Sequence, residues 1–174
     1  MRDGFRYFAT FLDDCTHFSV ICLIKNKSDV CDATRNYIVE AESKWNSHVY
    51  ILHCDMAGEY VANELTNWCR ERGIKIDYAL AATPQLNGRA ERLNRMLMDK
   101  TRALLLDSNL EKELWGEALR TAAYLLNRNP SATVDTTPAE LWYGKRQVQS
   151  NLKLFGSLAH TGKIEEARKT RQGM

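Results

Sequence analysis

The chain has 174 residues, enough for one domain with a hydrophobic core, and its 44% hydrophobic and 26% charged residues are ordinary globular proportions that name no function. A net charge of +2 with a pI near 8.3 is only mildly basic, so any case for nucleic-acid binding must rest on where the cations sit. Five cysteines, an odd count without paired Cys-x-x-Cys spacing, argue against a disulfide framework or a zinc knuckle. No apolar run approaches the ~18 residues that span a bilayer, and Met1-Arg2-Asp3-Gly4 does not open a signal peptide. The expectation is a reduced intracellular protein, nuclear or cytoplasmic, with no membrane partner.

Residues 7–12 and 18–25 are rich in aromatic and β-branched types and flank Asp13-Asp14-Cys15-Thr16-His17, which is turn chemistry, so they predict a β-hairpin. From Ser28, a candidate N-cap, Val30, Ala33, Tyr37, Ile38, Ala41 and Trp45 recur at helical spacing up to about Asn46. A strand over residues 49–54, a helix over 63–72 closed by Gly73 and a strand over 74–79 form a βαβ unit, which implies an α/β layer fold. Functional groups in such folds gather at strand ends, and Asp55 is at one.

Residues 83–88 predict a loop, followed by a helix from about Arg89 to Leu106 with Ala90, Leu93, Leu97, Thr101 and Leu104 inward and Glu91 in its first turn. A second helix spans about 111–127, with Leu114, Ala118, Ala122 and Leu125 inward, and stops at Arg128-Asn129-Pro130. Thr137-Pro138 opens a short capped helix with proline at its first position. Residues 163–174 are polar, so the expected division is one domain over 1–160 and a solvated tail over 161–174. Trp45, Trp68, Trp115 and Trp142 fall on apolar helical faces as core residues, and the four histidines are scattered without metal-like spacing.

Asp55 and Glu91, with 35 residues between them, admit two readings from the residues alone. Each has a purely structural explanation, as a turn former after a strand and as an N-terminal helix acid favoured by the macrodipole. Alternatively they are two oxygen donors for Mg²⁺ or Mn²⁺, carried on the rigid platforms that a metal site needs. Arg89, Arg92, Arg95, Lys100 and Arg102 give the same helix a basic side, and Gln85 and Asn87 precede it. That stripe either solvates an amphipathic helix or meets nucleic-acid phosphates.

Longer words of sequence go further. Arg6-Tyr7-Phe8, Phe11-Leu12-Asp13-Asp14, Lys27-Ser28-Asp29, Gly58-Glu59-Tyr60, Thr83-Pro84-Gln85-Leu86-Asn87-Gly88, Ala90-Glu91-Arg92, Leu114-Trp115-Gly116-Glu117-Ala118, Tyr124-Leu125-Leu126-Asn127-Arg128, Thr137-Pro138 and Leu154-Phe155-Gly156 occur in order. With them the chain resembles the integrase catalytic core of copia-type retrotransposons over nearly its whole length.

The resemblance implies an RNase H-like three-layer fold with a mixed sheet and a C-terminal helical extension. It also implies metal-dependent 3′-end processing and strand transfer of element DNA, and a multimer. In that family's D,D-35-E pattern Asp55 matches the second catalytic acid and Glu91 the third, both metal ligands, while Gln85, Asn87, Arg89, Arg92 and Arg95 face DNA.

The family's first acid has no match here. It sits on a strand before the hairpin, whereas Asp13 and Asp14 match the hairpin turn and are expected to shape it. Met56-Ala57 also replaces the family's usual Asn-Gly after the catalytic acid. The expected sheet therefore lacks its first, central strand, leaving two inner edges unless the hairpin re-pairs, and catalysis is expected to be very weak or absent. The alternative is a non-catalytic nucleic-acid-binding or dimerisation module on the same scaffold.

Overall fold

A computed structural model describes residues 4–54, 59–78, 84–130, 136–147 and 152–158. Strands β1 (Tyr7–Leu12) and β2 (Ser19–Ile24) form an antiparallel hairpin in register from Tyr7↔Ile24 to Leu12↔Ser19. Its turn is held by polar groups of its own. The Asp13 carboxylate accepts from the Thr16 N–H at 2.7 Å and the Thr16 hydroxyl at 2.6 Å, while Asp13 N–H donates to the Phe18 carbonyl.

Alternation along the hairpin sends its side chains to two different helical layers. Phe8, Leu12, Ile21 and Leu23 pack with Leu93, Leu97, Leu119, Ala122 and Ala123, which belong to α3 (Pro84–Ser108) and α4 (Trp115–Leu126). On the opposite face Phe11 stacks on Tyr37 of α1 (Val30–Trp45) at 4.6 Å. The hairpin is thus the middle of three layers, as the α/β reading requires.

The second sheet is the expected βαβ unit: β3 (Ile51–Cys54), α2 (Glu59–Glu71) and β4 (Lys75–Tyr78), with the strands parallel from Ile51↔Lys75 to Cys54↔Tyr78. Gly73 closes α2 at φ +71°, a conformation that costs glycine nothing. Leu52 and Ile76 point into a core made by Cys31, Ile38, Leu65, Cys69 and Ile74, so α1 and α2 cover this face. On the other face Ile51, His53, Lys75 and Asp77 are exposed.

Among the described residues the sheets remain two separate pairs, β1–β2 and β3–β4. The hairpin has not closed onto β3, so β1 and β3 each keep a backbone edge unpaired by any described strand.

α5 (Pro138–Tyr143) opens as its sequence demands, with the Thr137 hydroxyl accepting from Glu140 N–H and the Glu140 carboxylate accepting from Thr137 N–H. Trp142 packs flat on Phe18 at 4.9 Å. A buried amide ties this end to the hairpin: the Asn127 Oδ1 accepts from both Ser19 N–H and Ser19 Oγ, and Nδ2 donates to the Ser19 carbonyl. The side chain supplies β2 with the donor and acceptor that a neighbouring strand would have offered.

Four expectations need correction. The loop over residues 83–88 is largely helical, because α3 begins at Pro84, whose fixed φ and missing N–H suit a first helical position. Glu91 consequently lies about two turns into the helix, where the macrodipole is spent. Trp45, the last residue of α1, is 47% exposed, meeting Trp142 edge-on rather than entering the core; Ala90 is likewise exposed. The 161–174 tail lies outside the described residues.

Candidate functional site

Everything described about the site depends on how α3 is held. Leu93, Leu97 and Thr101 are buried, the first two against α4 and the hairpin, which fixes the rotation of the helix about its axis. Glu91, Arg92 and Arg95 are exposed as a result. Glu91 and Arg95, four residues apart, share one outward stripe, with Arg92 on its flank. The Thr10 hydroxyl donates to Asn94 Oδ1 at 2.9 Å, a cross-link that pins this stretch to β1.

Among the described residues neither Glu91, Arg92 nor Arg95 has an ion-pair partner, whereas Arg102 pairs with Asp99 at 3.4 Å and Arg89 with Asp14 at 2.5 Å. The outward stripe therefore offers one carboxylate and two guanidinium groups to whatever approaches. Gln85 and Asn87 fall within the first turn of α3, and their side chains lie outside the described residues.

Asp55 directly follows Cys54, the last residue of β3, and is itself outside the described residues, as are Met56 and Ala57. The end of β3 is well placed by its neighbour: Cys54 lies in register with Tyr78, whose hydroxyl is bonded to the Thr66 hydroxyl of α2. On the uncovered face His53 Nδ1 meets Asp77 Oδ2 at 3.2 Å. Among the described residues no three His, Cys, Asp or Glu side chains cluster as a metal site would. Of the expected pair, Glu91 supplies an accessible carboxylate, the hard oxygen donor that Mg²⁺ or Mn²⁺ takes.

Asp13 and Asp14 are turn residues, as expected. Asp13 spends its carboxylate on the turn itself, and Asp14 reaches across to Arg89. Sequence reasoning missed that second contact, since partners 75 residues apart leave no local signal. It also missed a cavity of about 380 Å³ on the far side of the hairpin, lined by residues including Val20, Tyr37, Ala41, Tyr124, Trp142 and Tyr143.

Residues 1–84 match the integrase core domain family. The chain is 34% identical over 168 residues to the retrovirus-related Pol polyprotein from transposon TNT 1-94 of Nicotiana tabacum, covering 95% of this chain and 13% of that protein. It is 28% identical over 155 residues to the corresponding polyprotein from transposon RE2 of Arabidopsis thaliana, covering 88% of this chain and 10% of that one. The chain thus spans about a tenth of the length of these relatives.

Among solved structures, the catalytic core domain of BIV integrase superposes with a TM-score of 0.58 at 21% identity, covering 79% of this chain and 85% of that one. A chain of the simian T-cell lymphotropic virus intasome in complex with PP2A regulatory subunit B56 gamma gives 0.60 at 16% identity, covering 90% and 54%. The fold is that of a retroviral integrase catalytic core, RNase H-like. In sequence the chain is a homologue of the integrase-core region of copia-type Pol polyproteins. No described helix is long and apolar enough to cross a membrane.

Proposed function

We propose that this chain serves DNA integration by a retrotransposon, with the outer stripe of α3 as its nucleic-acid face and Asp55 and Glu91 as the acids that hold Mg²⁺ or Mn²⁺. The observation that carries this reading is the exposed Glu91 flanked by Arg92 and Arg95 on a helix whose opposite side is locked into the core. In this role the arginines neutralise phosphates and set the register of the duplex. Glu91 sits among them where a phosphodiester would be drawn in. A bound divalent ion would stabilise charge on the attacking and leaving oxygens of phosphoryl transfer.

Two carboxylates hold a metal pair less well than three, and placement errors of an ångström cost orders of magnitude in rate. The two acids of this chain are accordingly assigned a share of the metal site, with the chain acting in the nucleus or cytoplasm as a core over residues 1–160. The test is a nicking and strand-transfer assay with Mn²⁺ on labelled duplex DNA, run on this chain, Asp55→Asn and Glu91→Gln. The same set is repeated with an acidic strand added upstream of Met1. Activity that appears with the added strand and vanishes in both variants supports the integrase reading. Binding unaffected by either variant, with no activity in any form, favours a binding module that has no metal chemistry.

The same reading includes self-association through the face around the far cavity. Tyr124 and Tyr143 line that cavity and are exposed, and Trp45, exposed at the end of α1, meets Trp142 beside it, a group of large aromatic side chains that a second copy would cover. HTLV-2 integrase core has been solved in dimeric and trimeric forms. Sedimentation of Tyr124→Asp should give a lower mass than the parent chain; equal masses contradict this assignment.

A further inference from the structure

We propose that Asp14 competes with nucleic-acid phosphate for the Arg89 guanidinium, so that the hairpin turn masks one cation of the α3 face until a phosphate displaces it. The inference rests on the nucleic-acid reading of α3 and adds to it an acidic competitor within the fold. Three features make Asp14 suited to this. The turn is fixed by its own bonds, with Asp13 accepting from Thr16 and donating to Phe18, so the next residue projects from a set frame. The Thr10–Asn94 bond and the burial of Leu93 hold α3 beside that frame. Asp14 Oδ1 then meets Arg89 Nη1 at 2.5 Å without a long loop having to be ordered for the contact.

Both side chains remain open to a competitor, Arg89 at 54% and Asp14 at 69% exposure. An exposed ion pair shifts an equilibrium by no more than about fivefold, whereas a duplex presents many phosphates within reach of one guanidinium. Displacement is therefore favourable, and its cost appears as weakened affinity. Arg92 and Arg95, which have no described acidic partner, carry no such cost.

The test is a double-mutant cycle in duplex binding, measured across a salt series with the whole chain, Asp14→Asn, Arg89→Ala and the double variant. Asp14→Ser, which retains turn chemistry, repeats the arm if Asp14→Asn loses the native circular dichroism. Competition predicts about two- to fivefold tighter binding by Asp14→Asn at a salt slope close to the parent's, because Arg89 reaches phosphate in both proteins. It further predicts that this gain disappears in the Arg89→Ala background. A gain equally large without Arg89 would reduce Asp14 to a general repulsive charge and overturn the proposal, as would unchanged or weaker binding by Asp14→Asn. Absence of duplex binding by the parent chain at every salt concentration would instead remove the nucleic-acid reading of α3 together with it.

Discussion

Among the described residues, the hairpin β1–β2 is covered on both faces, by α3 and α4 on one and by α1 on the other, whereas the parallel pair β3–β4 is covered by α1 and α2 on one face only. The difference separates two tasks. Burial on both sides immobilises the hairpin and, through Leu93, Leu97 and Asn94, the helix that bears Glu91. Among the described residues the parallel pair keeps an exposed face and an edge without a partner strand, features of the low-stability end of a fold.

The largest effect that would sharpen this contrast is expected in the covered half. Leu97→Ala removes a fully buried side chain from the α3–α4–hairpin core and should cost about 2–5 kcal/mol, read from denaturant unfolding. Ile51→Ala on the uncovered face should stay within about 0.5 kcal/mol. Equal losses at the two positions would erase the distinction between the sheets.

Next in size is Asn127→Ala, which deprives Ser19 N–H and carbonyl of their buried partners. A cost of about 1–3 kcal/mol is expected, concentrated in faster hydrogen exchange along β2. Exchange unchanged in β2 would show that the amide does not act as a substitute strand.

A smaller effect concerns the junction of α1 with α2. Burial pulls the Glu42 carboxyl up, but the Val49 N–H, Arg72 and His48 outweigh it and hold the group below its ordinary value of 4.5. A carboxyl lowered in the folded state adds stability above the unfolded pKa and loses it as pH falls through the folded one. Stability of the parent chain should therefore decline below about pH 4.5, and Glu42→Gln should flatten that acid limb. An unaltered limb in Glu42→Gln would assign the acid sensitivity to other groups.

How much of this was legible in the sequence depends on how local each cause is. Strand alternation in Tyr7–Leu12, the capping residues around Pro138 and the Gly73 stop are local, and their elements appear as expected. Asn87-Gly88 reads as turn chemistry, yet the Pro84 start and the packing of the helix beyond it carry α3 through both residues. Trp45 has helical apolar spacing, but at the last position of α1 it emerges beside α5 instead of under the sheet. The Asn127–Ser19 lock spans 108 residues and the Asp14–Arg89 pair 75, and no period or motif announces either. The rotation that turns Glu91 outward came only with the burial of Leu93 and Leu97.

The most direct test of the central claim, that the locked helix α3 presents a phosphate-binding stripe, is the salt dependence of duplex binding for the parent chain and for Arg92→Ala/Arg95→Ala. Each phosphate contact contributes about 0.9 to the slope of log K against log salt, so the double variant should bind more weakly at low salt with a slope shallower by about 1.8. A double variant with the parent's affinity and slope would contradict the account and leave the arginines of α3 as solvating surface.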